Sequence, residues 1–195
     1  MADYKLSIII PTFNLEKMIE KTFHSVTTQT IGFENIELIL VDDQSTDNTI
    51  KFLKNYEKNY SNVKLFTTEK NSGFAGRPRN IGIKNSTSEY VLFLDGDDQL
   101  LINSCEVLYN QIRSTNSDIV IGGHINKYEN KKLEHNSPLY SGRNETFTEV
   151  QDANLLNITP AITAKLYKKE LLSKNNIKFP EEMPGQDLVF LLESI

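Results

Sequence analysis

Cysteine is almost absent from this sequence: the chain has one, Cys105. A single cysteine cannot form a disulfide within the chain, which excludes the small secreted domains that depend on such bridges. Cys105 lies in a segment with a helical pattern, where we expect a buried structural thiol. This usage suits reducing conditions, and the predicted location is the cytoplasm.

Long apolar runs and a surplus of positive charge are also absent. The first apolar run, residues 6–10, is short and is closed by Pro11, so it predicts neither a signal peptide nor a membrane span. Any membrane contact would be peripheral, at the inner face. With 21 Lys and Arg against 26 Asp and Glu, the chain has no broad electrostatic footprint for nucleic acid, and no nucleic-acid partner is expected.

What the sequence does contain is an alternation of short apolar runs with segments of helical period. The apolar runs predict strands at 6–10, 36–41, 63–67, 90–94 and 118–125, and the periodic segments predict helices at 15–26, 49–60, 79–84 and 100–113. Residues 126–144 are polar and indicate a loop or hairpin. This order predicts one α/β domain, residues 1–195, with a Rossmann-like, mostly parallel sheet and helices on both faces. Because the last residues have a helical pattern without a cap, we expect a domain truncated at its C-terminus.

Polar motifs directly follow three of the predicted strands. They are Pro-Thr-Phe-Asn at 11–14, Asp-Asp-Gln-Ser-Thr-Asp at 42–47 and Asp-Gly-Asp-Asp at 95–98. The carboxyl ends of parallel strands share one edge of a sheet, so these motifs should converge there. Carboxylates gathered at one edge repel each other unless cations or hydrogen-bond donors compensate, and hard oxygen ligands favour Mg²⁺ or Mn²⁺. His24, His124 and His135 lack the spacing of metal ligands and are assigned no role.

Four sequence blocks carry a resemblance to a known family. Ser-Ile-Ile-Ile-Pro-Thr-Phe-Asn at 7–14, Val-Asp-Asp-Gln-Ser-Thr-Asp at 41–47, Arg-Asn-Ile-Gly at 79–82 and Phe-Leu-Asp-Gly-Asp-Asp at 93–98 occur in the order found in family 2 glycosyltransferases. The chain resembles that family. The resemblance implies a GT-A fold, in which a Rossmann-like sheet binds a nucleoside-diphosphate sugar through a carboxylate-held metal, Mn²⁺ or Mg²⁺.

The resemblance also implies roles for single residues. Pro11 and Thr12 would line the base pocket, and Asp43 would accept the imide N–H of a uracil. Asp95 would contact the ribose and Asp97 would hold the metal, which would stabilise the leaving diphosphate as its charge builds.

A glycine-rich segment, residues 71–80, adds the local basic pocket that a diphosphate needs. Its glycines permit close backbone approach, and its arginines supply planar donors that match phosphate. We assign Asn71 and Arg79 to the donor site. For Arg77 a phosphate contact and a solvated side chain both remain open.

A narrower resemblance points to enzymes that glycosylate wall teichoic acids and related polyol-phosphate polymers. It rests on Gly-Arg-Pro-Arg-Asn at 76–80, Lys-Leu-Tyr-Lys-Lys at 165–169 and Phe-Pro-Glu-Glu at 179–182. In those enzymes a Glu-Asp pair follows and supplies the catalytic base, whereas this chain has Gln186 and Asp187. The resemblance implies inverting transfer from a UDP-sugar, UDP-GlcNAc in the first instance, to an acceptor hydroxyl with Asp187 as base. A helix-start acid stabilised by the helix dipole is the alternative for Asp187.

Other functions are consistent with parts of the pattern. A sugar nucleotidyltransferase also binds nucleotide and metal at a sheet edge, but its glycine-rich loop should follow the first strand, where residues 11–14 stand here. The lack of Gly-x-Gly-x-x-Gly after that strand argues against a dehydrogenase. A non-catalytic module that binds a nucleotide sugar stays open.

Overall fold

The computed structural model describes residues 3–128, 131–135 and 161–195. Its strands are β1 (Leu6–Thr12), β2 (Ile36–Asp42), β3 (Val63–Thr67), β4 (Tyr90–Phe93), β5 (Ile119–Ile121), β6 (His124–Tyr128), β7 (Lys131–His135) and β8 (Lys165–Lys168). Its helices are α1 (Ile19–Thr27), α2 (Thr49–Asn59), α3 (Gly76–Asn85), α4 (Ser104–Thr115), α5 (Lys169–Lys174) and α6 (Gln186–Ser194). None of these helices is long and apolar enough to cross a membrane.

One six-stranded sheet organises the molecule, in the order β3-β2-β1-β4-β8-β5. β1 pairs in parallel with β2 and β4, and β2 pairs in parallel with β3. β8 is antiparallel to both of its neighbours, β4 and β5. The predicted mostly parallel α/β sheet is confirmed. β6 and β7 form a separate hairpin within the polar segment predicted as a loop or hairpin, and the rest of that segment lies outside the described residues.

A hydrophobic core covers each face of the sheet, because alternate strand residues point to opposite sides. Ile8 and Ile10 belong to the first core, against α1, α2 and α4. Ile9 belongs to the second core, against α3, α5 and α6. The prediction of helices on both faces is confirmed. Cys105 is buried in the first core, where burial raises the pKa of its thiol to about 12, so the predicted structural thiol is also confirmed.

Four aromatic side chains, which we call the aromatic quartet, fill the centre of the second core: Phe93, Tyr167, Phe179 and Phe190. The Phe179 and Phe190 rings stack with centroids 3.8 Å apart. Phe93 meets Phe179 edge-on at 5.1 Å and Phe190 at 5.5 Å. Offset-stacked and edge-to-face pairs each add about 0.5–1.5 kcal/mol beyond burial. The quartet therefore fixes α6 to the middle of the sheet.

Pro11 lies inside β1, although a proline in a central strand normally removes a ladder hydrogen bond. In β1 the carbonyl of Ile9 faces β4 and accepts the Leu94 N–H at 3.1 Å. Pro11, two residues later, faces the same side, where β4 has already ended at Phe93. The missing N–H therefore costs no sheet bond. Pro11 and Thr12 were predicted as a turn, and the structure continues the strand through both.

Several elements of the structure differ from the predictions. The helix expected from residue 15 begins at Ile19, because the N–H of Leu15 donates to the Thr49 hydroxyl at 2.7 Å and holds residues 15–18 in a turn. The strand expected at 118–125 divides at Gly122, whose N–H turns to the carbonyl of Ala164 at 2.8 Å. β8 was not predicted as a strand.

Candidate functional site

Arg79 lies at the centre of a polar cluster beyond the carboxyl ends of the parallel strands, and it is only 4% exposed. Its Nη1 donates to Asp187 Oδ1 and its Nη2 to Asp95 Oδ1, each at 2.7 Å. The guanidinium carbon lies 5.2 Å from the centroid of the Phe179 ring. The planar fork of arginine suits two carboxylates at once. Arg79 thus brings together the residues predicted for ribose contact and for base catalysis.

Close packing between α3 and the segment before α6 holds this cluster in place. The side chain of Asn80 donates to the Phe179 carbonyl and accepts the Phe179 N–H, both at 2.9 Å. A Cβ on Gly76 would collide with the Pro180 carbonyl oxygen and the Gln186 amide. A glycine at this position therefore lets the segment that carries Asp187 approach Arg79.

Asp43 follows β2 and is 4% exposed. Its carboxylate accepts the Thr68 hydroxyl at 2.7 Å, and the Ser72 N–H and hydroxyl both at 2.9 Å. The side-chain amide of Asn71 donates to the Asp43 main-chain carbonyl at 2.8 Å. Asp43 and Asn71, which were both predicted to bind the sugar donor, are therefore in contact. The Ser72 N–H also lies 3.1 Å from Asp43 Oδ1, so these three donor groups contact both carboxylate oxygens. A further N–H would share an oxygen with one of them.

Pro11 and Thr12 form the buried end of β1 beside this cluster. The Thr12 hydroxyl donates to Asp42 Oδ1 at 3.3 Å, and Asp42 also accepts the Ser45 N–H at 2.9 Å. Asp47 accepts the Thr49 N–H at 2.9 Å, as helix-start acids do. Hydrogen-bond donors therefore compensate the acids of the second motif, and none of these acids needs a metal.

Asp97 and Asp98 are different, because both are exposed in the loop after β4. Desolvation by the loop, then the carboxylates of Asp95 and Asp97, raise the pKa of Asp98, and the imidazole of His124 offsets part of this. No three His, Cys, Asp or Glu side chains converge as a metal site within the described residues. Mg²⁺ and Mn²⁺ are commonly held by one or two carboxylates together with substrate phosphates, so this donor set fits such an ion.

Arg77 pairs with two carboxylates of the protein, whereas the sequence left open a phosphate contact for this residue. Its Nε donates to Glu181 at 2.9 Å and its Nη2 to Glu182 at 3.1 Å. Those carboxylates, Glu181 first, raise the pKa of Arg77. In this structure Arg77 ties α3 to the loop before α6.

A pocket opens beside Asp187. Apolar side chains form much of its wall, and the backbone before α6 forms its rim; the lining residues are Phe74, Ala161, Met183, Pro184, Gly185, Gln186, Asp187 and Leu188. Phe74, Met183 and Leu188 are exposed. The pocket therefore offers one carboxylate among surfaces that suit the apolar faces of a sugar ring.

Several residues of the cluster were missed by sequence reasoning. Lys165 is buried on β8 near Asp187, and Thr68 and Ser72 hold Asp43. Phe74 lies in the glycine-rich segment, residues 71–80, where the sequence predicted no role for it. Lys165 opens the Lys-Leu-Tyr-Lys-Lys block of the narrower resemblance, but that block gave it no role and does not indicate which residue the lysine contacts.

Comparisons with known proteins agree with this geometry. The sequence profile described as "Glycosyl transferase family 2" matches residues 7–175. The chain is 36% identical to the poly(ribitol-phosphate) beta-N-acetylglucosaminyltransferase TarP of Staphylococcus aureus over 97% of its own length and 57% of that protein. It is 34% identical to a poly(ribitol-phosphate) beta-glucosyltransferase of Bacillus spizizenii over 97% of this chain and 29% of that protein.

Solved structures show the same fold. A crystal structure of S. aureus TarS residues 1–349 superposes with a TM-score of 0.81 at 32% identity, covering 97% of this chain and 54% of that one. TarS has also been solved with UDP-GlcNAc; that complex superposes with a TM-score of 0.74 at 30% identity, covering 97% of this chain and 52% of that one. The predicted GT-A fold is confirmed. The chain spans between about a third and just over half the length of these relatives.

Proposed function

Since the chain belongs to glycosyl transferase family 2, we propose that it forms the donor-binding and catalytic part of an inverting glycosyltransferase that uses a UDP-sugar. The observation that carries the proposal is the double ion pair of Arg79, which joins Asp95 of the donor motif to Asp187. The Arg79 side chain thereby contacts both a residue proposed to bind the sugar donor and the candidate base, at the edge of the sheet.

The donor binds across the ends of β1 and β2 in this proposal. The Asp43 carboxylate accepts the imide N–H of uracil on an oxygen that it shares with the Thr68 or Ser72 donor, and Pro11 and Thr12 form the wall beside it. Asn71 fixes the backbone of Asp43. Asp95 contacts the ribose. The two relatives transfer different sugars by name, and TarS binds UDP-GlcNAc, so UDP-GlcNAc and UDP-glucose are the donors to compare.

Asp97, with Asp98 beside it, would hold Mn²⁺ or Mg²⁺, which when bound would supply positive charge that stabilises the leaving UDP. Both halves of the Arg79 fork are engaged by carboxylates. We therefore assign to Arg79 the orientation of Asp95 and Asp187, and not the neutralisation of the diphosphate.

Asp187 acts as general base. Its carboxylate accepts the proton of an acceptor hydroxyl while that oxygen attacks the anomeric carbon on the face opposite UDP. One displacement inverts the configuration, so an α-linked donor gives a β-linkage. The acceptor hydroxyl enters through the pocket lined by Phe74 and Leu188.

The acceptor is a polyol-phosphate polymer of the teichoic-acid type or a related cell-surface glycan. TarP and the Bacillus enzyme are named for poly(ribitol-phosphate), and both align over nearly this whole chain. The proposal includes a cytoplasmic location with peripheral contact at the inner face of the membrane.

The experiment measures sugar transfer by the full-length protein from UDP-GlcNAc and UDP-glucose to poly(ribitol phosphate), with Mn²⁺ present. Asp187→Asn keeps the size of the side chain and removes the base, so transfer should fall about a hundredfold or more while donor affinity stays unchanged. Donor binding without transfer in the unmodified protein would contradict the proposal and favour a non-catalytic module. Release of pyrophosphate would favour a nucleotidyltransferase.

A further inference from the structure

Lys165 is a buried lysine that the mechanism above does not use. It is 2% exposed and opens β8, opposite Ile121 of β5. Along β8, Leu166 belongs to the first core and Tyr167 to the second. Because alternate strand residues share a face, Lys165 lies on the same side as Tyr167, the side covered by α6. A buried ammonium is costly unless it meets compensating groups.

The segment before β8 directs this lysine toward the pocket. Its Nζ donates to the carbonyl of Ala161, a residue that also lines the pocket beside Asp187. Ala164, just before Lys165, has a φ of 60°, a left-handed conformation that is strained for a non-glycine residue. The N–H of Gly122 holds the Ala164 carbonyl at 2.8 Å. A strained, tethered turn thus places the ammonium beneath the pocket wall.

Within the described residues, two elements carry the charged and titratable groups that interact with Asp187. Arg79 of α3 donates to its carboxylate at 2.7 Å. Lys165 and Tyr167 of β8 interact with it electrostatically: burial lowers the pKa of Lys165 to about 8 against the opposing effect of the Asp187 charge, and burial, then the charge of Asp187, raises the pKa of Tyr167. Lys165 is therefore charged throughout the acidic range in which carboxylates titrate.

We propose that Lys165 is a positioning residue for the general base, whose ammonium beneath the pocket keeps the Asp187 carboxylate charged and directed at the acceptor. This inference rests on the proposed function of Asp187. Arg79 shares its fork with Asp95, so a donor that draws on Asp95 also perturbs the Arg79 contact. A second cation on β8 lets Asp187 keep its charge while the donor binds.

The test is the pH–rate profile of sugar transfer by the full-length protein carrying Lys165→Met. Loss of the cation should move the acidic limb of the profile to higher pH by about one unit, leaving the Km for the UDP-sugar within about twofold. Lys165→Arg should keep the wild-type limb. The matched control is Lys168→Met on the opposite face of β8. An active Lys165→Met protein whose acidic limb does not move would overturn the proposal, even if it melts earlier, because a purely structural role lowers activity at every pH.

A reciprocal measurement covers the case in which Lys165→Met does not fold. Nuclear magnetic resonance of labelled lysine side chains should show the Lys165 titration midpoint falling by about half a unit or more in Asp187→Asn, because the opposing charge is gone. An unchanged midpoint would refute the coupling. Coupling without transfer from any UDP-sugar would instead refute the proposed function.

Discussion

Several side chains in this site form hydrogen bonds and ion pairs with other residues of the same chain. Arg79 forms ion pairs with two carboxylates, and Asp43 accepts hydrogen bonds from three donor groups. Asp47 accepts a hydrogen bond from the Thr49 N–H at the start of α2. Such charge-assisted bonds fix geometry and contribute about 1.5–3 kcal/mol each when buried. The exposed Asp97 and Asp98 stand outside this pattern. Ligand-dependent effects should therefore concentrate at Asp97, and base selectivity at the Asp43 carboxylate.

Asp43→Asn should reduce the preference for UDP over CDP, because an amide can donate to the unprotonated ring nitrogen of cytosine as well as accept from uracil. A loss of about tenfold in the affinity ratio is expected from calorimetry with both nucleotides. Thr68→Ala is the control, since it removes a partner of Asp43 and leaves the carboxylate. Tighter binding of CDP than of UDP by the unmodified protein would show that Asp43 does not read the base.

Asp97→Asn should weaken the metal dependence of UDP binding. The unmodified protein should bind UDP more tightly with Mn²⁺ than with excess chelator, and the variant should show at most a small difference, because a neutral amide is a poorer ligand for a hard cation. Calorimetric titrations with and without metal measure both. Equal affinity in the two conditions for the unmodified protein would remove Asp97 as the ligand.

Some helices and strands could be predicted from the sequence, and others could not. β1, β2 and β4 were predicted because each contains an apolar run that is buried on both faces. β3, at the edge of the sheet, is only partly buried, and its apolar residues at alternate positions predicted it. α3 was expected to begin at Arg79, since Gly76 and Pro78 resemble helix breakers, but proline is tolerated in a first turn. β8 has four residues, and pairing with β4 and β5 rather than propensity defines it.

The site residues, like the helices and strands, were predicted only in part. The sequence indicated their types and the edge of the sheet where they meet, because each motif follows a strand. It could not indicate that Arg79 pairs with Asp187, 108 residues away, because nothing in local spacing records a contact between α3 and α6.

Gly76→Ala tests the junction between these helices. An alanine gains up to about 1 kcal/mol of helix propensity, while overpacking against the Pro180 carbonyl costs about 1–3 kcal/mol. The variant should melt earlier and lose transfer more than donor binding, because Asp187 moves away from Arg79. Lys84→Ala, on the exposed side of α3, is the control for thermal unfolding and activity. A Gly76→Ala protein more stable than the original would show that the junction tolerates the methyl group.

The molecule as a whole has the charges that we propose for catalysis at one end of the sheet and a buried structural charge at the other. Glu37, fully buried near the start of β2, accepts bonds from Ser7, Thr87 and Lys64. Burial raises the pKa of Glu37, but the bonds from Lys64, Ser7 and Thr87 outweigh it, and the net pKa lies below its usual 4.5. A lowered folded-state pKa stabilises the fold above the unfolded value, and the gain is lost as pH falls through the folded value.

Glu37→Gln should therefore lower the free energy of unfolding by about 2 kcal/mol or more at pH 7, since it leaves Lys64 without a charged partner. The gap between variant and unmodified protein should narrow as the pH falls below about 4.5, where the carboxylate itself takes up protons. Urea unfolding at several pH values measures it, with the exposed Glu69→Gln as control. A gap that stays constant down to pH 3 would mean that the ionised carboxylate contributes nothing.

The two hydrophobic cores divide the site between layers that can open separately. The loops after β1 and β2 rest on strands at the middle of the sheet, whereas Asp187 depends on α6 and the aromatic quartet in the second core. Native proteins open in local units of unequal stability. Amide hydrogens of α6 should exchange with solvent ahead of those of β1 and β2. At intermediate urea concentrations the protein would then still hold UDP after its turnover had ceased, because the base leaves with the helix while the nucleotide pocket stays with the sheet.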